Sequence, residues 1–155
     1  MPYFPPASSG GSTPTQRARA YNNANLTISN TSLTALTLNS ERWDTDSIHS
    51  TSSNTSRLTC NTNGSYMIGG GVQWNSGSTP SRLLVSIRLN GTTDIASQEI
   101  AVSSSVTFPQ FSISTEYDLV ATDYVELTVY QNSGGNMTVN AAANQSPELW
   151  MTRVQ

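Results

Sequence analysis

Residues 66–74 alternate with a period of two, and this repeat limits the fold more than any other feature. Tyr66, Ile68, Gly70, Val72 and Trp74 share one parity, and Met67, Gly69, Gly71 and Gln73 share the other. Successive side chains of a strand point to opposite faces, so each set lines one side of a sheet. The pattern recurs in Leu83, Val85, Ile87 and Leu89, set against Arg82, Ser86 and Arg88, with Leu84 as the exception. It recurs again in Phe111, Ile113, Tyr117 and Leu119, and in Val125, Leu127 and Val129. Asn63-Gly64, Asn90-Gly91 and the run Ser133-Gly134-Gly135-Asn136 supply turns between these stretches. No segment sustains a 3.6-residue apolar period. Short strands with regular turn signals predict an all-β antiparallel sandwich or barrel. Asn63-Gly64 further predicts a hairpin joining the strand through Leu58-Thr59-Cys60 to the strand from Tyr66.

Two strands are apolar or aromatic on both faces. Tyr124 and Tyr130 lie opposite the aliphatic row of their strand, and Trp150 and Val154 lie opposite Leu149 and Met151. A strand apolar on both sides has both sides covered, and in a two-sheet sandwich the second cover is expected from another subunit. Tyr124, Tyr130 and Trp150 are therefore the candidate interface residues. Gly69 and Gly71 leave their face free of bulk, so a neighbouring backbone or subunit is expected to approach there.

A chain of 155 residues fits one domain able to stand without disulfides. The lone Cys60 shares parity with Leu58 and reads as a small buried hydrophobe. Ser, Thr and Asn together make up 58 residues, every base is Arg, and the net charge is −3. A surface solvated by hydroxyls and amides offers no basic stripe to phosphates, which argues against a nucleic-acid partner. No apolar run reaches membrane-spanning length, and no membrane partner is expected. The opening MPYFPPASSGGS lacks the charged and apolar regions of a secretion signal, so the expectation is a soluble chain made without a cleaved leader.

Residues 1–16 are a separate zone. Pro2, Pro5, Pro6 and Pro14 disfavour helix, and Ser8–Ser12 with Gly10 and Gly11 form a flexible joint. Tyr3 and Phe4 are aromatics with no local core. The zone reads as an extended docking arm, with Pro2, Tyr3, Phe4, Pro5 and Pro6 as its anchoring residues, and 17–155 as the folded domain.

Catalytic sets are scarce. Asp44 and Asp46 stand near the only histidine, His49, yet an Asp-x-Asp pair in a polar loop serves turns as readily as a hard cation. His49 beside many serines lacks a specific orienting acid, and nothing in the spacing of Asp118, Asp123 and Glu126 selects a carboxylate pair. Neither an enzyme activity, a metal nor a cofactor is expected. Asn-x-Ser/Thr triplets at Asn25, Asn30, Asn54, Asn63, Asn90, Asn136 and Asn144 follow from composition alone.

Several steps taken in order resemble the jelly roll of tumour necrosis factor (TNF) ligands and complement globular heads. Leu58-Thr59-Cys60 leads to Asn63-Gly64-Ser65-Tyr66, where that family has an aromatic-Thr-small step and a Pro-Gly-x-Tyr turn. Leu89-Asn90-Gly91 matches a later Asn-Gly turn, and Thr122-Asp123-Tyr124-Val125 stands where the family has Gly-Asp-x-Val. ARAYNN and ELWMTRV match an early and a closing strand. The resemblance implies a two-sheet antiparallel jelly roll of ten strands over residues 17–155. It also implies a homotrimer with one sheet of each subunit packed around the axis. Phage particles use such trimers as capsid decoration proteins. The expected function is therefore that of a non-enzymatic virion protein on the outer capsid surface of a tailed bacteriophage, bound to the major capsid protein through its arm. The alternative is a tail-fibre or baseplate tip that binds host surface glycans through aromatic and amide side chains.

Overall fold

The computed structural model describes residues 15–75, 79–102 and 108–155. The anchoring residues Pro2, Tyr3, Phe4, Pro5 and Pro6 lie outside the described residues. Twelve strands are present among those described. In chain order they are β1 (Arg17–Tyr21), β2 (Leu26–Ile28), β3 (Thr34–Ala35), β4 (Ser40–Asp44), β5 (Arg57–Thr59) and β6 (Gly64–Gln73). They continue as β7 (Leu83–Leu89), β8 (Thr93–Ile100), β9 (Gln110–Leu119), β10 (Tyr124–Gln131), β11 (Met137–Val139) and β12 (Glu148–Arg153).

The front sheet runs β4-β1-β12-β6-β9. The back sheet runs β3-β10-β7-β8, with β5 also paired to β10, and β2 and β11 form a separate two-stranded ribbon. Five strands face five, and all recorded strand pairs are antiparallel. The fold is a two-layer all-β jelly roll.

The period of two builds the core as the sequence suggests. Tyr66, Ile68, Val72 and Trp74 point inward from the front sheet, and Leu83, Val85, Ile87, Val125, Leu127 and Val129 point inward from the back sheet. Each such side chain contributes roughly 1.5–3 kcal/mol when fully buried. Cys60 is buried among them, its thiol 3.1 Å from the Thr62 carbonyl. Tyr117 shares the inner parity of Phe111 and Ile113 but is 38% exposed. Asn90 and Gly91, both at positive φ, turn β7 into β8 as the pair predicts.

The hairpin expected at Asn63-Gly64 is not formed. β5 pairs with β10 in the back sheet, whereas β6 pairs with β12 and β9 in the front sheet. Residues 60–63 therefore cross the sandwich. The Cys60 amide donates to the Asp123 carbonyl and the Thr122 amide to the Cys60 carbonyl, which holds the back-sheet end of the crossing. The Tyr66 hydroxyl donates to the Thr62 carbonyl and the Ala121 amide to Asn63 Oδ1, which fixes the front-sheet end. A turn pair sets how tightly a chain bends, but the partner of each strand is decided by distant residues that complete its ladder.

Candidate assembly surface

The outer face of the front sheet carries the densest set of unusual side chains. Its in-register rows explain how they meet. Trp43 pairs with Arg19, Arg19 with Trp150, Trp150 with Gly69, and Gly69 with Ser114. One step along, Arg17 pairs with Thr152, Thr152 with Met67, and Met67 with Glu116. A bulge between Arg19 and Ala20 shifts β4 by one residue, and Arg42 reaches the same face.

Glu148 lies at the centre of the polar part of this face. It is only 4% exposed, and its two carboxylate oxygens accept from Arg19 Nε at 2.5 Å and Arg42 Nε at 2.6 Å. A carboxylate withdrawn from water needs such charge-assisted partners, and here two guanidiniums supply them. The arginines in turn rest on rings. Arg17 and Arg19 lie over Trp43 at 5.5 and 5.4 Å, and Arg42 lies over Tyr21 at 4.4 Å. Trp43 remains 38% exposed and Met67 36% exposed, and the half-buried indole of Trp150 is in the row of Trp43.

The three interface residues read from the sequence are not brought together. Trp150 is on the front face. Tyr124 and Tyr130 are on the outer face of the back sheet, at the other side of the molecule. There the second cover comes from the chain itself. Arg57 lies 3.9 Å over the Tyr124 ring and Arg82 5.1 Å over that of Tyr130. Glu126 between them is 7% exposed and accepts from Ser56 Oγ at 2.7 Å and Arg57 Nε at 3.4 Å. The glycine run has the same explanation. A side chain at Gly69 would meet the Trp150 indole, and one at Gly71 would meet the Gln145 carbonyl oxygen, so the close approach there is by this chain's own groups.

The remaining polar candidates hold loops in place. Asp44 accepts the Asp46 amide at 3.0 Å on one oxygen and the His49 amide at 2.8 Å on the other. His49 is buried, with Nδ1 2.9 Å from Glu41 Oε1 and Nε2 3.2 Å from the Thr55 carbonyl. Asp123 accepts from Asn90 Nδ2 and the Val120 amide. Asp118 is on β9 in the front sheet, apart from Asp123 and Glu126 at the back sheet, and accepts from Ser65 Oγ. Among the described residues no cluster of three or more His, Cys, Asp or Glu has metal-binding geometry.

Sequence reasoning missed Trp43, Arg19, Arg42, Tyr21 and Glu148. The parity of RARAY puts Arg17, Arg19 and Tyr21 on one face, but the partner strands that bring Trp43 and Glu148 beside them are remote in sequence.

No family model matches the chain, and no curated protein matches it in sequence. Solved structures do match it in shape. Eiger TNF from S. frugiperda superposes with a TM-score of 0.67 at 12% identity, covering 92% of this chain and 94% of that one. Two crystal structures of murine APRIL, at pH 8.5 and pH 8.0, give TM-scores of 0.65 and 0.69 at 8% and 6% identity. Each covers 90% of this chain and 99% of that one. The likeness is one of fold. The chain has a TNF-type jelly roll, as the resemblance of its turn and strand steps implies.

Proposed function

We propose that the chain is a non-enzymatic structural protein that closes into a homotrimer through the outer face of its front sheet. The carrying observation is the row Trp43–Arg19–Trp150 with Met67 beside it, an aromatic and apolar strip left open on a sheet whose other face is the core. Apolar strips rimmed by polar groups favour protein partners. The back face differs in exposure: Trp43 stays exposed with Arg17 and Arg19 beside it, whereas Tyr124 and Tyr130 are half-buried beneath Arg57 and Arg82.

The finer reading is capsid decoration of a tailed bacteriophage. Its support is the Pro-, Gly- and Ser-rich zone of residues 1–16, which carries Tyr3 and Phe4. The first described residue, Thr15, accepts at its carbonyl from Thr45 Oγ1 at 2.8 Å beside the start of β1, so this zone joins the domain at the front sheet. Three equivalent arms on one trimer would engage three equivalent grooves of the major capsid protein together, which raises avidity without new contact types.

The test is co-sedimentation of the protein with capsids stripped of it. Full-length protein is expected to bind, and a variant lacking residues 2–12 is expected to stay a folded trimer and not bind. Binding by the deletion variant removes the arm from the reading. Failure of the full-length protein to bind capsids, with binding to host surface glycans instead, replaces decoration by a tail-tip role.

A further inference from the structure

The two margins of the front sheet carry opposite charge. On the β1–β4 margin Arg17, Arg19 and Arg42 share the outer face, and Glu148 answers only Arg19 and Arg42. Arg17 is exposed and, among the described residues, has no carboxylate within ion-pair distance. On the β9 margin Glu116 and Asp118 project from the same face, in register with Met67 and Ser65, and both are exposed. Neither is ion-paired among the described residues. Arg153 lines the same depression as Asp118 with no ion pair among the described residues, its Nε–H being given to the Asn63 carbonyl. It offsets part of the Asp118 charge, so Glu116 is the less compensated of the two acids.

β9 is also an edge strand. Among the described residues its only ladder is with β6, over ten residues without a bulge. Arg17 and Glu116 cannot meet within one copy, because the three strand spacings between β1 and β9, about 4.8 Å each, put their backbones roughly 14 Å apart. They can meet only between copies.

Resting on the proposed trimer, we infer that the β9 margin of one copy, through Glu116 and Asp118, seats against the Arg17, Arg19 and Trp43 margin of the next. The occupant of each basic margin is a second copy of this chain. Contact between two different patches is heterologous, and it produces a closed ring when the rotation between copies closes. A twofold pairing of either margin with itself would set Arg17 near Arg17, or Glu116 near Glu116, and like charges across an interface are disfavoured. The charge pattern thus disfavours any twofold contact that pairs a margin with itself. A face-to-face twofold about an axis along the strands would also match opposite margins, and the solution mass separates that dimer from the ring.

The experiment is sedimentation velocity over a dilution series at 0.15 M salt on four proteins: wild type, Arg17→Glu, the double variant Glu116→Arg/Asp118→Arg, and all three substitutions in one chain. All three positions are on the surface, and circular dichroism checks that each variant is folded. Each one-sided reversal is expected to weaken association about tenfold or more, and the combined variant to regain most of the loss. A trimer unchanged by the one-sided reversals, or no recovery in the combined variant, overturns the charge-matched contact and leaves the trimer standing. A twofold dimer overturns the inferred geometry, and a wild-type monomer overturns the trimer with it.

Discussion

The indole of Trp150 occupies the space that a side chain at Gly69 would need. A Cβ built on Gly69 would stand 2.6 Å from Trp150 Cε2 and 3.0 Å from the Ile113 carbonyl oxygen. Gly69 is therefore what lets the ring lie along the sheet. Gly69→Val should lift the indole off the strand and destabilise the fold by about 1–3 kcal/mol, the usual range for overpacking. The checks are a red shift of Trp150 fluorescence, isolated in a background with the other tryptophans replaced by Phe, and a lowered urea midpoint.

Glu148 ties three strands, because Arg19 is on β1, Arg42 on β4 and Glu148 itself on β12. Removing it leaves two guanidiniums facing one another without their carboxylate. Glu148→Ala should cost about 3 kcal/mol, the low end for a buried pair because both arginines are partly exposed. Glu148→Gln should cost less, since it keeps an acceptor. Equilibrium urea unfolding measures both.

Burial and the neighbouring Cys60 thiol push the Tyr66 phenol well above the ordinary tyrosine range, with Arg153 opposing weakly. A pKa raised in the folded state favours the neutral form. Its contribution to stability is complete below the unfolded pKa of about 10 and declines as pH rises above it. Wild type should therefore lose stability above about pH 10 more steeply than Tyr66→Phe, which has no proton to lose there. Thermal melts from pH 8 to pH 11 test this, and parallel curves would remove Tyr66 as the cause.

The two sheet faces should respond differently to loss of aromatics. Trp43→Ala together with Trp150→Ala should weaken self-association, because both rings are on the front face. Tyr124→Ala and Tyr130→Ala should leave the assembly mass unchanged and lower only stability, because their rings are on the back sheet, away from the proposed contact, and half-buried beneath Arg57 and Arg82. Light scattering reads the first effect, and calorimetry the second.

Much of the fold can be read from local chemistry. The alternation through Tyr66–Trp74 and Val125–Val129 places the core faces correctly, and Asn90-Gly91 specifies its own hairpin, because parity and turn geometry depend on adjacent residues. What fails is whatever depends on distant pairing. Asn63-Gly64 resembles Asn90-Gly91 in sequence, yet the strands beside it complete their ladders with β10 on one side and with β12 and β9 on the other. The candidate surface divides in the same way. Trp150 is evident from the two-sided pattern of its strand, but its row with Arg19 and Trp43 exists only through register. Tyr124 and Tyr130 satisfy that same two-sided pattern, and their cover is a pair of arginines that apolar parity does not detect.

The central claim is that the front-sheet face is closed by further copies of the chain, and the most direct measurement is the solution mass of the intact protein. Sedimentation equilibrium from about 1 to 50 μM should give a single species at three times the 16.6 kDa chain mass. A species of one chain mass throughout that range is incompatible with the claim, and the open strip around Trp43 and Trp150 would then need a different partner.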